Sequence, residues 1–164
     1  MPTIVIPTPF GRSLVVEADD EAIVEAEFRS VRAPARAPAN ALLREARAQV
    51  NAYCARKLRH FDLPLRFAGT DFECKVWRAV AALGFGDFVA YGEVARAVGE
   101  PLAQHGVARA MGRTPIDLFV PAHRVIGADG RLKGCAPRSM RAKLFAFERV
   151  PKKAKNPGRA APRS

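Results

Sequence analysis

Gly99-Glu100-Pro101 is the feature that most limits the folds open to this chain. Glycine closes a helix in a left-handed conformation and proline cannot continue one, so the triplet predicts a sharp turn. It splits the stretch beginning at Tyr91 into two short helices, Gly92 to Val98 and about Ala103 to Gly112, the spacing of a helix-turn-helix. The second helix carries Ala103, Gly106, Ala108, Ala110 and Gly112, a small-sided face suited to close approach. Upstream, Thr70 and Glu73 have capping-box spacing and open a further helix through about Ala82, with Phe72, Val76, Trp77 and Val80 inward.

The first part of the chain reads differently. Residues 3 to 6 and 13 to 17 are short apolar runs set off by Pro and Gly, and Ala22 to Phe28 alternates apolar with acidic side chains, so a small sheet with a hairpin is expected. Arg29 to Asn40 is expected as a loop. Asn40 is placed to cap a helix from Ala41 to about Arg59, whose Leu42, Leu43, Ala46, Val50, Tyr53, Cys54 and Leu58 share one broad core face. Phe61 to Gly69 reads as a linker. The division expected is 1–65, 66–150 and a basic tail, 151–164, without apolar periodicity and therefore disordered.

Composition narrows the partner. A net charge of +11 points to a polyanion, nucleic acid first, although arginine-rich codon usage gives the same total. The tail supplies five basic and no acidic side chains. No apolar run is long enough to span a bilayer and no signal-peptide pattern opens the sequence, so the expectation is a cytoplasmic protein without membrane contact. Cys54, Cys74 and Cys135 form neither a disulfide framework nor a zinc spacing; no metal and no cofactor are expected.

The chemistry concentrates in Val120-Pro121-Ala122-His123-Arg124-Val125-Ile126-Gly127. With Phe72, Val76-Trp77, Leu83, Tyr91-Gly92-Glu93-Val94-Ala95, Val107 to Pro115, Gly130, Gly134 and Leu144 to Glu148 in order around it, this segment resembles the Pro-Cys-His-Arg-Val signature of the O6-alkylguanine-DNA alkyltransferases. Thr8-Pro9-Phe10-Gly11 and Phe61-Asp62-Leu63-Pro64-Leu65 extend the resemblance over roughly residues 3 to 150. The fold class it implies is α/β: a small ribonuclease-H-like amino-terminal part, then a mainly helical, winged helix-turn-helix-like DNA-binding part. Members of that family move an alkyl group from guanine onto their own cysteine. Here Ala122 stands at that position, and a methyl side chain has no lone pair with which to attack.

The resemblance assigns further roles. Glu148 matches the acid that orients the active-site histidine, so His123 and Glu148 are expected to persist as a dyad. Tyr91 matches the tyrosine that acts on the target phosphate, and the helix of the motif is implied to dock in the minor groove while the damaged nucleotide is flipped out. His105 stands where an arginine fills the vacated stack. An imidazole can stack there but lacks the permanent charge, and Arg109, one turn on, could substitute. Arg113 and Arg124 complete the expected DNA contacts, with Arg124 also expected to brace the loop. Thr114, Pro121, Val125, Cys135 and Ala136 are the expected lesion pocket; Thr114 replaces an asparagine and Cys135 a wall tyrosine.

The expected partner is double-stranded DNA containing O6-alkylguanine, bound by a monomer, with nucleotide excision repair proteins as further partners. One reading is a non-enzymatic damage sensor like the alkyltransferase-like proteins. A second is a suicide O6-methylguanine-DNA methyltransferase bearing an engineered Cys-to-Ala substitution at 122, and a third a helix-turn-helix regulator without lesion preference. Transfer to Cys135 as a displaced nucleophile is a further alternative.

Overall fold

The computed structural model describes residues 1–32 and 40–149. The remainder of the expected 29–40 loop, residues 33–39, and the tail 151–164 lie outside the described residues. The chain is mixed α/β.

Three antiparallel strands, β1 (Thr3–Ile6), β2 (Ser13–Ala18) and β3 (Ile23–Arg29), form one sheet in the order β1-β2-β3. Ile6 faces Leu14 and Leu14 faces Phe28, so one face of every strand buries its aliphatic residues while Glu25 and Glu27 point outward. Helix α1 (Ala41–Cys54) packs on that sheet and buries Leu43, Ala46, Val50 and Tyr53. Its start is as expected: the Asn40 side chain accepts from the Leu43 amide at 2.8 Å.

Its end is not. The helix stops at Cys54 rather than near Arg59, because Arg56 takes φ +62 and its guanidinium donates to the Phe147 carbonyl at 2.8 Å. Periodicity carried the expectation too far because Leu58 still packs on the core after the helix has ended. The expected linker is also a packed element. Gln49 exchanges two hydrogen bonds with the Asp62 backbone, and Pro64 and Arg66 bridge the backbone of Ile23 at 2.8 and 2.9 Å.

Helix α2 (Asp71–Ala81) begins with the full Thr70/Glu73 capping box and buries Val76, Trp77 and Val80. Helices α3 (Tyr91–Ala97) and α4 (Gln104–Gly112) follow, separated by a turn in which Gly99 has φ +82. Both pack on α2. The small residues of α4 do not form one face: Ala110 points inward, where its carbonyl receives the Trp77 indole N–H at 2.9 Å, whereas Ala108 and Gly112 are exposed. Gly106 meets Phe72, where an added Cβ would lie 3.1 Å from the ring.

Two short strands that periodicity does not reveal, β4 (Val89–Ala90) and β5 (Val125–Ile126), pair in parallel. Helix α5 (Met140–Arg149) closes the described structure, with Leu144 and Glu148 buried. No helix among the described residues is long and apolar enough to cross a membrane.

Candidate functional site

The loop from Thr114 to Ile126 is held by the first sheet. Along the edge of β3, Ala26 donates to the Pro115 carbonyl at 3.0 Å and accepts from the Asp117 amide at 2.8 Å. Directly after this anchor the backbone turns sharply. Phe119 N–H closes on the Asp117 carbonyl at 2.8 Å, with Leu118 between them at φ +70, a conformation that a branched side chain adopts only under strain. The chain then runs through Val120 and Pro121, both buried, into a single 3-10 turn, Ala122 to Arg124, and directly into β5.

That turn aims two side chains at α5. His123 and Arg124 are each 1% exposed, and both reach Glu148. His123 Nε2 lies 2.5 Å from Glu148 Oε2, and Arg124 donates through Nε and Nη2 to the two carboxylate oxygens, 2.9 Å each. The Tyr53 hydroxyl adds a donor at 2.6 Å and the Gly86 amide another at 2.9 Å. Burial works against the charged form of Glu148, but the hydrogen bonds and charge from His123 and Arg124 hold its carboxyl well below the usual range. Burial also pushes the His123 pKa down against the pull of Glu148, so the ring is neutral near pH 7. A neutral imidazole that donates through Nε2 keeps the lone pair on Nδ1, the arrangement of a proton acceptor.

Beside this cluster lies a cavity of about 140 Å3. Thr114, Ala122 and His123 line it, together with Asp117 and Arg141, which the sequence did not single out. Burial pushes the Asp117 carboxyl up to about 6, only partly offset by the Phe28 amide at 3.4 Å. Arg141 donates to the Met111 carbonyl at 3.0 Å. Tyr91, the first residue of α3, is half-buried; burial raises its phenol, while Arg141 and Lys133 act in the opposite sense. Cys135 is among its electrostatic neighbours, half-buried on the same side, and Ala136 beside it is exposed. Val125, expected in the pocket wall, is fully buried in the core.

The expected DNA contacts divide. His105 and Arg109 sit together on the exposed side of α4, around a shallow hollow shared with Phe72 and Leu102. Arg113 follows α4 and pairs with Glu73 at 3.1 Å while remaining largely exposed. Arg124 is corrected: its guanidinium is enclosed by Glu148 and by the Leu83 carbonyl at 2.6 Å, so it braces the loop from inside and cannot reach a phosphate.

Three residues of the site escaped the sequence reading. Tyr53 was visible only as one member of a core face, and nothing local marks Arg141. Asp117 left a usable sign, a lone carboxyl in the apolar run Ile116 to Val120. Among the described residues no group of three or more His, Cys, Asp or Glu is placed to hold a metal.

Comparison with known proteins gives the site a context. Residues 71–150 match the DNA-binding domain of 6-O-methylguanine DNA methyltransferase. In sequence the chain is 45% identical over 93 residues to the methylated-DNA–protein-cysteine methyltransferase of Methanosarcina acetivorans, covering 57% of this chain and 60% of that one. It is 46% identical over 86 residues to the protein of that name from Mycobacterium tuberculosis, 52% of each chain. These sequence matches thus span little more than half the relatives' length. In structure the match is longer: the crystal structure of Mycobacterium tuberculosis O6-methylguanine methyltransferase agrees with a TM-score of 0.75 at 33% identity, over 92% of this chain and 94% of that one. The Mycobacterium tuberculosis OGT solved in complex with DNA agrees with a TM-score of 0.75 at 32% identity, over 88% and 90% of the two chains. A likeness that runs through both the sheet and the helices, at this identity, settles membership: the chain belongs to the O6-methylguanine DNA methyltransferase family.

Proposed function

We propose that this chain binds O6-alkylguanine in duplex DNA by flipping the damaged nucleotide into the cavity beside Ala122, and does not transfer the alkyl group. The observation that carries the reading is the pairing of an intact His123–Glu148–Arg124 cluster with a methyl side chain at the cavity wall. Such a cluster supports the loop and can hold a proton acceptor, but alkyl transfer also needs a sulfur or oxygen lone pair at the reacting position. Extruding a base costs a few kcal/mol, less for a damaged pair, and a preformed cavity offsets that cost.

In this reading α4 lies in the minor groove, Tyr91 acts on the phosphate of the flipped nucleotide, and His105 or Arg109 fills the gap. Arg113 and the basic tail add contacts that do not depend on sequence. The helices act as a winged helix-turn-helix within 66–150, residues 1–65 as a ribonuclease-H-like support. The protein acts as a cytoplasmic monomer that marks the lesion for excision repair. The DNA complex of the Mycobacterium tuberculosis relative supports DNA as the partner.

The test is intact mass and binding on the same duplex. After incubation with DNA containing O6-methylguanine the protein should keep its mass while binding that duplex more tightly than undamaged DNA. A stoichiometric gain of one methyl group would overturn the reading and direct attention to Cys135; equal binding of damaged and undamaged DNA would leave a regulator without lesion preference. A suicide methyltransferase with an engineered Ala122 is favoured by one observation, the likeness of fold over 94% of the Mycobacterium tuberculosis enzyme.

A further inference from the structure

We infer that Asp117 and Arg141 make the cavity beside Ala122 selective for O6-substituents ending in a group that both donates and accepts a hydrogen bond, the hydroxyalkyl class. This rests on the cavity receiving the O6-substituent, as proposed above.

Both side chains line the same small cavity as Ala122, and most of the remaining wall, including Met111, Leu118 and Leu144, is apolar. In such surroundings a polar group left without a partner is costly, so the ligand that satisfies it is favoured over its apolar isostere. Asp117 is held in position by its backbone anchors on Ala26 and by the turn at Leu118, and among the described residues its carboxylate accepts one long bond, 3.4 Å from the Phe28 amide. Acceptor capacity remains on that carboxylate.

Arg141 is likewise fixed, by the carbonyls of Met111 at 3.0 Å and Lys133 at 3.5 Å, and forms no salt bridge among the described residues. A guanidinium has five N–H groups, so donors remain. At neutral pH the carboxyl, facing Arg141 on α5 and Glu27 on β3, is mainly ionised, which makes it an acceptor opposite a donor. A terminal hydroxyl donates to the first and accepts from the second. A carboxylate would gain Arg141 but be repelled by Asp117, and an alkyl chain satisfies neither.

The experiment measures affinity of the full chain for duplexes carrying O6-(2-hydroxyethyl)guanine, its isostere O6-n-propylguanine, O6-methylguanine or unmodified guanine, by fluorescence anisotropy at neutral pH. The hydroxyethyl lesion should bind about tenfold more tightly than the n-propyl lesion, the value of one satisfied charged hydrogen bond. Asp117→Ala and Arg141→Met should each reduce that ratio and together bring it close to one, read only in variants that unfold cooperatively. Asp117→Asn, which keeps an acceptor, should retain part of the preference. Equal binding of the two isosteres, both above unmodified guanine, would overturn the inference and leave the proposed function standing, as would a preference that survives both substitutions. No lesion binding above unmodified guanine would remove both.

Discussion

The hydroxyl of Tyr53 on α1 donates to Glu148 on α5 at 2.6 Å, onto the same carboxylate oxygen that His123 reaches at 2.5 Å. A residue of the helix that packs on the first sheet thereby helps hold the acid at the centre of the site. Without it, Glu148 would rely on His123 and Arg124 of the loop and on the Gly86 amide.

Tyr53→Phe should therefore destabilise the fold by about 1–2 kcal/mol, since it strips one donor from a buried carboxylate without opening a cavity. Denaturant unfolding reads this directly. A variant as stable as the parent would mean that the neighbouring donors, Arg124 and Gly86, satisfy Glu148 unaided.

Glu148→Gln is the harsher change, because the amide cannot balance Arg124, whose guanidinium is 1% exposed. Leaving a buried charge without its partner costs about 3–5 kcal/mol, a large part of the stability of a chain this size. The expected result is a lowered unfolding midpoint together with loss of lesion binding; a variant of native stability would refute the buried ion pair.

Installing a nucleophile asks whether the rest of the machinery survives. Ala122→Cys should gain one methyl group per molecule from an O6-methylguanine duplex, since neutral His123 is in place as the base and a positioned base is worth about a hundredfold or more in rate. Intact mass over time checks it. Fast, complete transfer would favour a once-active methyltransferase; binding with no transfer would show that Thr114 or Cys135 has altered the geometry.

Acidity acts on the site in two opposite senses. Asp117 has a pKa of about 6 against an ordinary 3.8, so its ionised form opposes folding; the penalty is absent below the lower value and complete above the higher. Asp117→Asn should therefore stabilise the protein by up to about 3 kcal/mol above that window and change little below it. Glu148 and His123 have the reverse sign, their folded pKa values being lowered, so their contributions fade as pH falls. Urea unfolding of parent and variant across that range distinguishes the two senses, and a pH-independent difference would remove Asp117 as the titrating group.

On the DNA side, His105→Arg should tighten lesion binding by adding a planar, permanently charged group, whereas Tyr91→Ala should weaken it. Anisotropy titrations with damaged and undamaged duplexes report both. Identical lesion affinities for parent and both variants would eliminate the flipping geometry assigned to α3 and α4.

What the sequence made legible follows a physical line. Asn40 and Thr70 were readable as helix starts because a cap is a local bond between residues three apart. The end of α1 was not, because Arg56 adopts its left-handed conformation while bonded to Phe147, ninety-one residues away in the chain. Strands β4 and β5 hold two residues each, too few for any period to show. His123 and Glu148 were found by resemblance, and the structure brings them together. Arg124 was misassigned in part, since sequence does not distinguish a buried arginine from one facing solvent.

The pairing of Val89 with Val125 ties two distant stretches of chain into one mechanical part. Tyr91 leaves directly from the end of β4, and Ala122 to Arg124 enter directly into β5, so neither can shift along its strand without dragging the other. For anyone transplanting this recognition surface onto another scaffold, the indivisible unit is therefore the ladder with both its flanks: a graft of the loop alone would arrive without its ruler.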